Sequence, residues 1–240
     1  MFRIFSFYAA LFTLLSMSQS ASAADGGVLV FGGTGRLGAP IVRLLVESGD
    51  AVTVFARPTS DRRRLDGLDV DYVTGDLLNA DEVAAAFADR SYRAIVDASA
   101  RRGTQDLFYD KAMSHIVGGA GGAGVQQIIY HSSVGAGDNM AQFPRADFSG
   151  MRDVLLAKGR AEQILIDSGI GYTIIRNGLI QPDGTPATET ARLTQDQSVM
   201  SVVTRADLAT LTVQCLDQPD CMNRTYHAVD DSYEVPRAFR

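Results

Sequence analysis

Three evenly spaced glycines are the residues of this sequence that most directly suggest chemistry. Gly32, Gly35 and Gly38 follow the apolar run 28–31, and a helical pattern over 39–47 begins directly after them. Glycines at the end of a buried strand let the backbone turn tightly against a pyrophosphate, and the next helix directs its free N–H groups at the same anion. Such glycines also occur in ordinary turns, but the strand before them and the helix after them favour a dinucleotide-binding loop. The loop residues expected to hold the dinucleotide are Gly32, Gly33, Thr34, Gly35, Arg36, Leu37 and Gly38.

An arginine at the end of the next strand bears on which dinucleotide is bound. Residues 51–56 have the pattern of a strand, and Arg57 follows them. In a dinucleotide fold this strand end lies beside the adenosine ribose, where an acidic residue selects NAD. The planar guanidinium of an arginine suits the 2′-phosphate of NADP instead. Arg57, helped by Arg36, therefore favours NADP over NAD; the alternative is that Arg57 only faces solvent.

Polar residues follow three further predicted strands. Asp76 comes after strand 70–74, Ser99 closes strand 94–99, and Ser132 and Ser133 follow strand 127–131; two more strands are predicted at 171–176 and 224–229. The carboxyl ends of parallel strands meet at one edge of a sheet, where ligands bind. These residues are therefore expected to converge with the glycine loop and Arg57 on a single site.

The elements that must position these residues alternate regularly between strand and helix. Besides 39–47, helical patterns cover 81–87, 104–117, 151–168 and a stretch from Thr204 to about Leu216. This alternation predicts an α/β fold, a doubly wound parallel sheet with helices on both faces. The glycine-rich segment 118–124 is interpreted as a turn, and the polar segment 181–197 as an irregular flap.

The first 23 residues have the layout of a secretory signal peptide. Arg3 precedes an apolar stretch at 4–17, and Ala21-Ser22-Ala23 forms an A-x-A cleavage signal. Cleavage after Ala23 leaves 24–240 as a single NAD(P)-binding domain with no membrane span, exported to the periplasm or secreted. Translation from Met17 would instead give a cytoplasmic protein.

Two cysteines agree with export. Cys215 and Cys221 flank a polar, turn-forming insert that can bring both thiols within bridging distance. An oxidising compartment would then give one small-loop disulfide. The alternative is a pair of free thiols in a reduced protein.

Several functions are disfavoured by composition and spacing. The net charge of −6 argues against a nucleic-acid partner, and the triplet Arg62–Arg64 is interpreted as a solvated loop. His131 precedes Ser132, but the surrounding HSSVG is not the GxSxG elbow of a hydrolase. His115 and His227 lack metal-ligand spacing, so no metal site is predicted. The expected partner is a small-molecule substrate, and the sequence does not indicate an oligomeric state.

Five motifs in order give the chain a family resemblance. They are FGGTGRLG at 31–38, GDL at 75–77, HSSVG at 131–135, KGRAEQILIDSGIGYTIIRNG at 158–178 and TRADLA at 204–209. With these motifs the chain resembles an atypical short-chain dehydrogenase/reductase of the NmrA-like, NAD(P)H-binding group, which includes flavin and biliverdin reductases. The resemblance implies a Rossmann-type fold with a small C-terminal substrate part. It also implies Asp76 and Leu77 near the adenine, Ala98, Ser99 and Ala100 near the ribose and pyrophosphate, and Ser132 and Ser133 near the nicotinamide.

The chain departs from the broader superfamily where catalysis is concerned. That superfamily uses a Tyr-x-x-x-Lys pair; Lys158 matches the lysine, but Val154 occupies the tyrosine position. Carbonyl reduction needs a proton donor for the developing alkoxide, and valine cannot supply one. Reduction of a flavin or quinone is less demanding, because solvent can protonate the product after hydride transfer. Lys158 would then mainly hold the nicotinamide ribose; the alternative is a surface lysine.

Two functions of different classes follow. The first is an NADP-linked reductase of a small flat acceptor such as a flavin or quinone, with Lys158, Ser132 and Ser133 as catalytic candidates. The second is a non-catalytic NAD(P)-binding sensor or assembly factor. Val154 keeps the second open, and so does export, because a chain exported unfolded cannot carry NADPH with it. A relative that has lost its pocket is disfavoured by the intact glycine loop and Arg57.

Overall fold

The structure is a computed structural model and describes residues 26–101 and 107–239. The predicted signal peptide and its cleavage site lie outside the described residues, as does the start of the predicted helix 104–117. Those expectations therefore stay predictions.

An eight-stranded, mostly parallel sheet forms the centre of the molecule. Its strands follow the order β3-β2-β1-β4-β5-β6-β10-β8, and only the edge strand β8 is antiparallel, to β10. The strands are β1 Gly27–Phe31, β2 Val52–Ala56, β3 Asp71–Thr74, β4 Tyr92–Asp97, β5 Gln127–Ser133, β6 Tyr172–Asn177, β8 Arg192–Thr194 and β10 Arg224–Val229. A separate parallel pair joins β7 Leu179–Ile180 to β9 Val202–Val203. The predicted Rossmann-type α/β fold is confirmed.

Helices cover both faces of the sheet. They are α1 Gly38–Glu47, α2 Ala80–Ala85, α3 Phe108–Ala120, α4 Arg152–Asp167 and α5 Arg205–Cys215. Helices α1 and α5 share one apolar cluster, and α2, α3 and α4 share the other. Strand β1 shows why both faces are covered: Val28 and Val30 point into the first cluster, whereas Leu29 and Phe31 point into the second. A strand buried on both sides must be apolar throughout, as the sequence 28–31 is.

Two segments differ from the sequence interpretation. Helix α3 continues through Gly118 and Gly119 to Ala120, so the predicted turn begins three residues later. Gly119 is needed inside the helix because a Cβ there would lie 2.6 Å from the ring of Phe87. The predicted irregular flap at 181–197 contains strand β8, because the edge of β10 offers it backbone partners.

A buried carboxylate also anchors the flap, residues 181–197, through hydrogen bonds. Asp207 on α5 accepts hydrogen bonds from the backbone N–H groups of Thr188 and Glu189 and from the Thr204 hydroxyl. Because Asp207 is buried, these bonds hold the flap in a defined position over α5.

The end of α5 carries the two cysteines. Their Cα atoms lie 5.5 Å apart, and their sulfurs are at bonding distance, which suits the predicted Cys215–Cys221 bridge. No helix within 26–101 or 107–239 is long and apolar enough to cross a membrane.

Candidate functional site

A cavity of about 580 Å³ lies at the carboxyl ends of the central strands. The sheet order reverses between β1 and β4, and a crevice opens where connections leave in opposite directions. The predicted site residues that line the cavity are Gly32, Thr34, Gly35, Arg36, Leu37, Arg57, Asp76, Leu77, Ala98, Ser99, Ala100, Ser132, Ser133 and Lys158. The expected convergence of the strand ends on one cavity is present in the structure.

Gly33 and Gly38 are the two predicted site residues that do not line the cavity. A Cβ on Gly33 would meet the Val54 side chain at 2.9 Å, and a Cβ on Gly38 would collide with the carbonyl oxygen of Gly32. Both glycines therefore allow the loop and α1 to pack closely against the sheet and against each other. Both glycines thus shape the loop, and their predicted contact with a dinucleotide stays a prediction.

Gly32 gives the loop its turn. Its φ of +73° lies in the left-handed region, and a Cβ there would lie 2.7 Å from the carbonyl oxygen of Ala98. The Gly35 N–H donates to the Gly32 carbonyl at 2.9 Å and closes the turn. Helix α1 then begins without a side-chain cap at Leu37, but the N–H groups of Ala39 and Ile41 already donate to backbone carbonyls, so few N–H groups of its first turn are left for an anion.

We call the part of the cavity beside the glycine loop, Arg57 and Asp76 its outer end. Arg36 and Arg57 are both exposed there. The Arg36 Nε lies 3.6 Å from the Asp183 carboxylate, and Arg64 Nη2 approaches the same carboxylate at 3.5 Å. The outer end thus gathers positive charge around one acidic residue of the flap.

The three arginines Arg62–Arg64, predicted to form a solvated loop, lie in three different environments. Arg62 stacks on Tyr72 at 4.1 Å, and the highly exposed Arg63 pairs with Asp61. Arg64 instead reaches Asp183. No sequence pattern indicates this last contact, because Asp183 is more than a hundred residues away in the chain.

We call the part of the cavity formed by Ser132, Lys158 and Asn177 its inner end. Lys158 projects from α4, and the residue is only 8% exposed, so the alternative of a surface lysine is wrong. Its Nζ donates to the His131 carbonyl at 3.2 Å and lies 5.1 Å above the Tyr109 ring. Burial lowers the pKa of Lys158 to about 8, partly opposed by the negative charge of Asp97 and Glu162.

Asp97 is buried at the end of β4 and interacts electrostatically with Lys158. Its carboxylate accepts a hydrogen bond from the Ser99 N–H at 2.9 Å. Burial raises the pKa of Asp97, while the hydrogen bond from the Ser99 N–H and the charge of Lys158 oppose the rise. The buried carboxylate and the buried ammonium therefore support each other's charge.

The residue one turn before Lys158 on α4 contributes no proton. Val154 packs against the apolar cluster of α2, α3 and α4. A tyrosine does contact this lysine, but it comes from α3: the ring of Tyr109 lies under the ammonium and is not part of the cavity lining. Burial raises the pKa of Tyr109, which holds its phenol in the neutral form. The contact between Tyr109 and Lys158 joins two different helices and is not indicated by any spacing in the sequence.

Three buried polar atoms of the cavity wall have no hydrogen-bond partner among the described residues. They are Ser99 Oγ, Ser132 Oγ and Asn177 Oδ1. A buried polar group without a partner is costly, so such atoms mark where a ligand completes the site. Asn177 was not predicted as a site residue; its only sequence signal was its position directly after the sixth predicted strand.

Arg205 and Met151 are further lining residues that the sequence did not indicate. Arg205 donates to the Gln181 carbonyl at 2.7 Å and so attaches the flap to the start of α5. Met151 is 51% exposed at the start of α4 and gives the cavity an apolar wall. Within the described residues, no group of three or more His, Cys, Asp or Glu side chains is placed to hold a metal ion.

Comparison with known proteins places these features in a family. The family model described as NAD(P)H-binding matches residues 32–219. The chain is 36% identical over 116 residues to sterol demethylase protein B of Methylococcus capsulatus, a match covering 45% of this chain and 34% of that protein. It is 22% identical over 213 residues to the photosystem II assembly factor Ycf39 of Synechocystis, covering 84% and 62%. The matches thus span between a third and two thirds of the length of these two relatives.

Among solved structures, the chain is similar to ChuY, an anaerobilin reductase from Escherichia coli O157:H7. The two share 25% identity with a TM-score of 0.76, covering 88% of this chain and all of that one. The matched family model covers most of the chain, including the glycine loop, the strand ends and Lys158. The chain therefore belongs to the NAD(P)H-binding family of atypical short-chain dehydrogenase/reductase type, as its motifs indicated.

Proposed function

We propose that this protein is an NADPH-dependent reductase of a small, flat, conjugated acceptor such as a flavin, a quinone or a tetrapyrrole. The observation that carries the proposal is the inner end of the cavity. It combines a buried ammonium group with unpaired polar atoms but lacks a tyrosine acid one turn before the lysine. This arrangement suits an acceptor that does not need immediate protonation by the protein.

The residues present fit a dinucleotide. The left-handed Gly32 leaves room for a pyrophosphate to approach the backbone beside the start of α1, where the helix dipole favours an anion. Ser99 and Ser132 line the same cavity, and their buried Oγ atoms have no hydrogen-bond partner within the described part of the chain. A nicotinamide dinucleotide bound here would supply the hydride for the reduction.

Lys158 is proposed to hold the cofactor ribose and to keep a positive charge near the reacting groups. One of its three N–H bonds is used by the His131 carbonyl, which fixes the ammonium at the cavity wall. Negative charge that develops on the acceptor after hydride transfer would be stabilised by this ammonium. Ser132 and Ser133 would orient the ring, and solvent would deliver the final proton.

The preference for a flat acceptor is supported by the cavity wall and by a relative. The exposed thioether of Met151 offers an adaptable apolar surface to a planar ring. ChuY, an anaerobilin reductase, shares the fold over its full length. We therefore propose an acceptor of the same flat, conjugated type.

NADP is proposed over NAD on account of charge at the outer end. Arg57 directly follows β2, with Arg36 nearby in the glycine loop, and both line the cavity. No acidic residue stands at the position of Arg57 to bind the ribose hydroxyls. Two guanidinium groups favour the dianionic 2′-phosphate.

A non-catalytic NAD(P)-binding sensor or assembly factor is the second candidate. Val154 in place of a tyrosine acid supports it, and so does the similarity to Ycf39, a photosystem II assembly factor. Export supports it too, because the exported chain would have to find its cofactor outside the cytoplasm.

We propose residues 1–23 as a cleaved signal peptide. Mass spectrometry of the natural protein should find an N-terminus at Ala24, and a start at Met17 would refute export.

One experiment separates the two candidates. The chain from Ala24 is titrated with NADPH and with NADH by fluorescence, and flavin, quinone and tetrapyrrole acceptors are then added while NADPH absorbance is followed. Oxidation that depends on the acceptor supports the reductase. Tight binding without oxidation of NADPH by any acceptor class supports the sensor, and absence of binding contradicts both.

A further inference from the structure

Asn177 occupies a position that the proposed function leaves unexplained. It ends β6 beside Ser133 of β5, is 7% exposed, and lines the cavity. Its Oδ1 has no hydrogen-bond partner among the described residues, whereas its Nδ2 lies 3.4 Å from the Nδ1 of His131. Which end of the amide faces a ligand depends on which nitrogen of His131 carries the proton.

A chain of hydrogen bonds fixes that proton. The Leu208 carbonyl can only accept, so the Thr212 hydroxyl, 2.6 Å away, uses its single hydrogen there. The Thr212 oxygen must then accept from the Nε2 of His131 at 2.9 Å, which places the imidazole proton on Nε2. Burial lowers the pKa of His131 to about 4, so the ring is neutral at pH 7 and its Nδ1 bears a lone pair.

The position of the His131 proton sets how the Asn177 amide faces the cavity. The Nδ1 lone pair accepts from the amide nitrogen of Asn177, and this turns the amide oxygen toward the ligand. On the neighbouring strand Ser132 Oγ is also buried and has no partner in residues 26–101 and 107–239, and Lys158 adds N–H donors. The inner end thus presents one acceptor beside several donors, which is the complement of an amide edge.

We propose that Asn177 determines specificity by accepting a hydrogen bond from an amide N–H of the bound ligand, and that Thr212 and His131 are positioning residues that set its orientation. The proposal rests on the proposed function, because it concerns the same cavity. The amide has two possible sources: the carboxamide of the nicotinamide, or a ring lactam of the acceptor. A simple quinone has no such N–H and would leave Asn177 Oδ1 unpaired.

Binding measurements test the carboxamide source without turnover. NADP⁺ is compared with its 3-acetylpyridine analogue, in which a methyl group replaces the amide nitrogen. The native protein should bind NADP⁺ about tenfold more tightly than the analogue. Asn177→Leu, which keeps the size of the side chain, should bind the two equally.

A second arm tests the acceptor source. Riboflavin and 3-methylriboflavin, which lacks the ring N–H, are titrated into the native protein and into Asn177→Leu. Preference of the native protein for riboflavin, lost in the variant, would assign the lactam. Preference in the NADP⁺ arm alone would assign the carboxamide.

Thr212→Val provides a variant that leaves Asn177 intact. Without the hydroxyl, the imidazole proton moves to Nδ1, the amide turns over, and its nitrogen faces the ligand. The preference for the amide ligand should then disappear or reverse, which simple loss of packing would not cause. Nitrogen NMR of His131 should show the Nε2–H form in the native protein and the Nδ1–H form in Thr212→Val.

The outcomes are distinct. A native protein that binds the probes without preferring the amide form in either arm overturns this inference and leaves the proposed function standing. The same holds if Asn177→Leu keeps the native preference, or if native His131 carries its proton on Nδ1. A protein that binds neither dinucleotide nor flavin overturns both.

Discussion

At the outer end of the cavity, charged side chains meet solvent, whereas at the inner end polar groups are buried and held by other buried groups. Arg36 and Arg57 are exposed and adjustable. Ser132, Lys158 and Asn177 are at least nine-tenths buried. The outer end is therefore suited to holding a phosphate by charge, and the inner end to positioning the reacting groups by fixed hydrogen bonds.

The largest expected effect comes from removing the buried charge of the inner end. Lys158→Met should lower turnover at least about 100-fold, because the charge developing on the acceptor loses its stabilising ammonium. NADPH affinity should fall much less, since the outer end is intact. Lys111→Met, which removes the other lysine of the chain at an exposed position, should change neither quantity.

The same lysine predicts a pH dependence. Because the ammonium form is the active one and its pKa is about 8, turnover should be constant near neutral pH and fall as pH rises above about 8. Lys158→Arg keeps the charge at high pH and should lose this fall while retaining part of the activity. An alkaline decline that persists in Lys158→Arg would contradict the assignment.

The glycine loop should give the largest effect on binding. A Cβ on Gly38 collides with the Gly32 carbonyl, and backbone atoms cannot move aside without opening the loop. Gly38→Ala should weaken NADPH binding about 100-fold, as fluorescence titration would show. Gly118→Ala on α3, where nothing lies within 4 Å, is the control and should be neutral or stabilise by about 0.5–1 kcal/mol.

Arg57→Ala tests the outer end by comparing two cofactors. NADPH affinity should fall about tenfold and NADH affinity hardly at all, because only NADPH carries the 2′-phosphate. Arg63→Ala, whose side chain is 85% exposed and pairs with Asp61, is the matched control. Equal losses for NADPH and NADH in Arg57→Ala would refute selection of NADP by this residue.

The smallest effect is expected at Asp183. Its carboxylate lies near Arg36 and Arg64 and competes with an incoming phosphate for them. Asp183→Asn should therefore bind NADPH about threefold more tightly at low salt, with the gain disappearing at high salt. Asp231→Asn, which breaks the exposed pair with Arg192, should leave NADPH affinity unchanged. Weaker binding of NADPH to Asp183→Asn would show that Asp183 supports the site instead.

The sequence by itself determined most of the fold and most of the outer end, apart from the contacts of Asp183. The glycine loop, Arg57 and the strand ends are local patterns, in which a short apolar run is followed directly by the polar residues that it presents. Hydrophobic periodicity sets each strand and helix, and the parallel arrangement brings the strand ends together. The sheet, its helices and the family resemblance could therefore be predicted. The extension of α3 and strand β8 could not, because they depend on Phe87 and on the free edge of β10.

Only the tertiary structure decided how the inner end works. His131 meets Thr212 across 81 residues of sequence, and Asn177 joins them from a third element. The burial of Lys158 and its position above Tyr109 likewise depend on the packing of α3 against α4. The donor and acceptor roles in this hydrogen-bond chain and the burial of the ammonium arise from contacts between distant segments. No local pattern in the sequence indicates them.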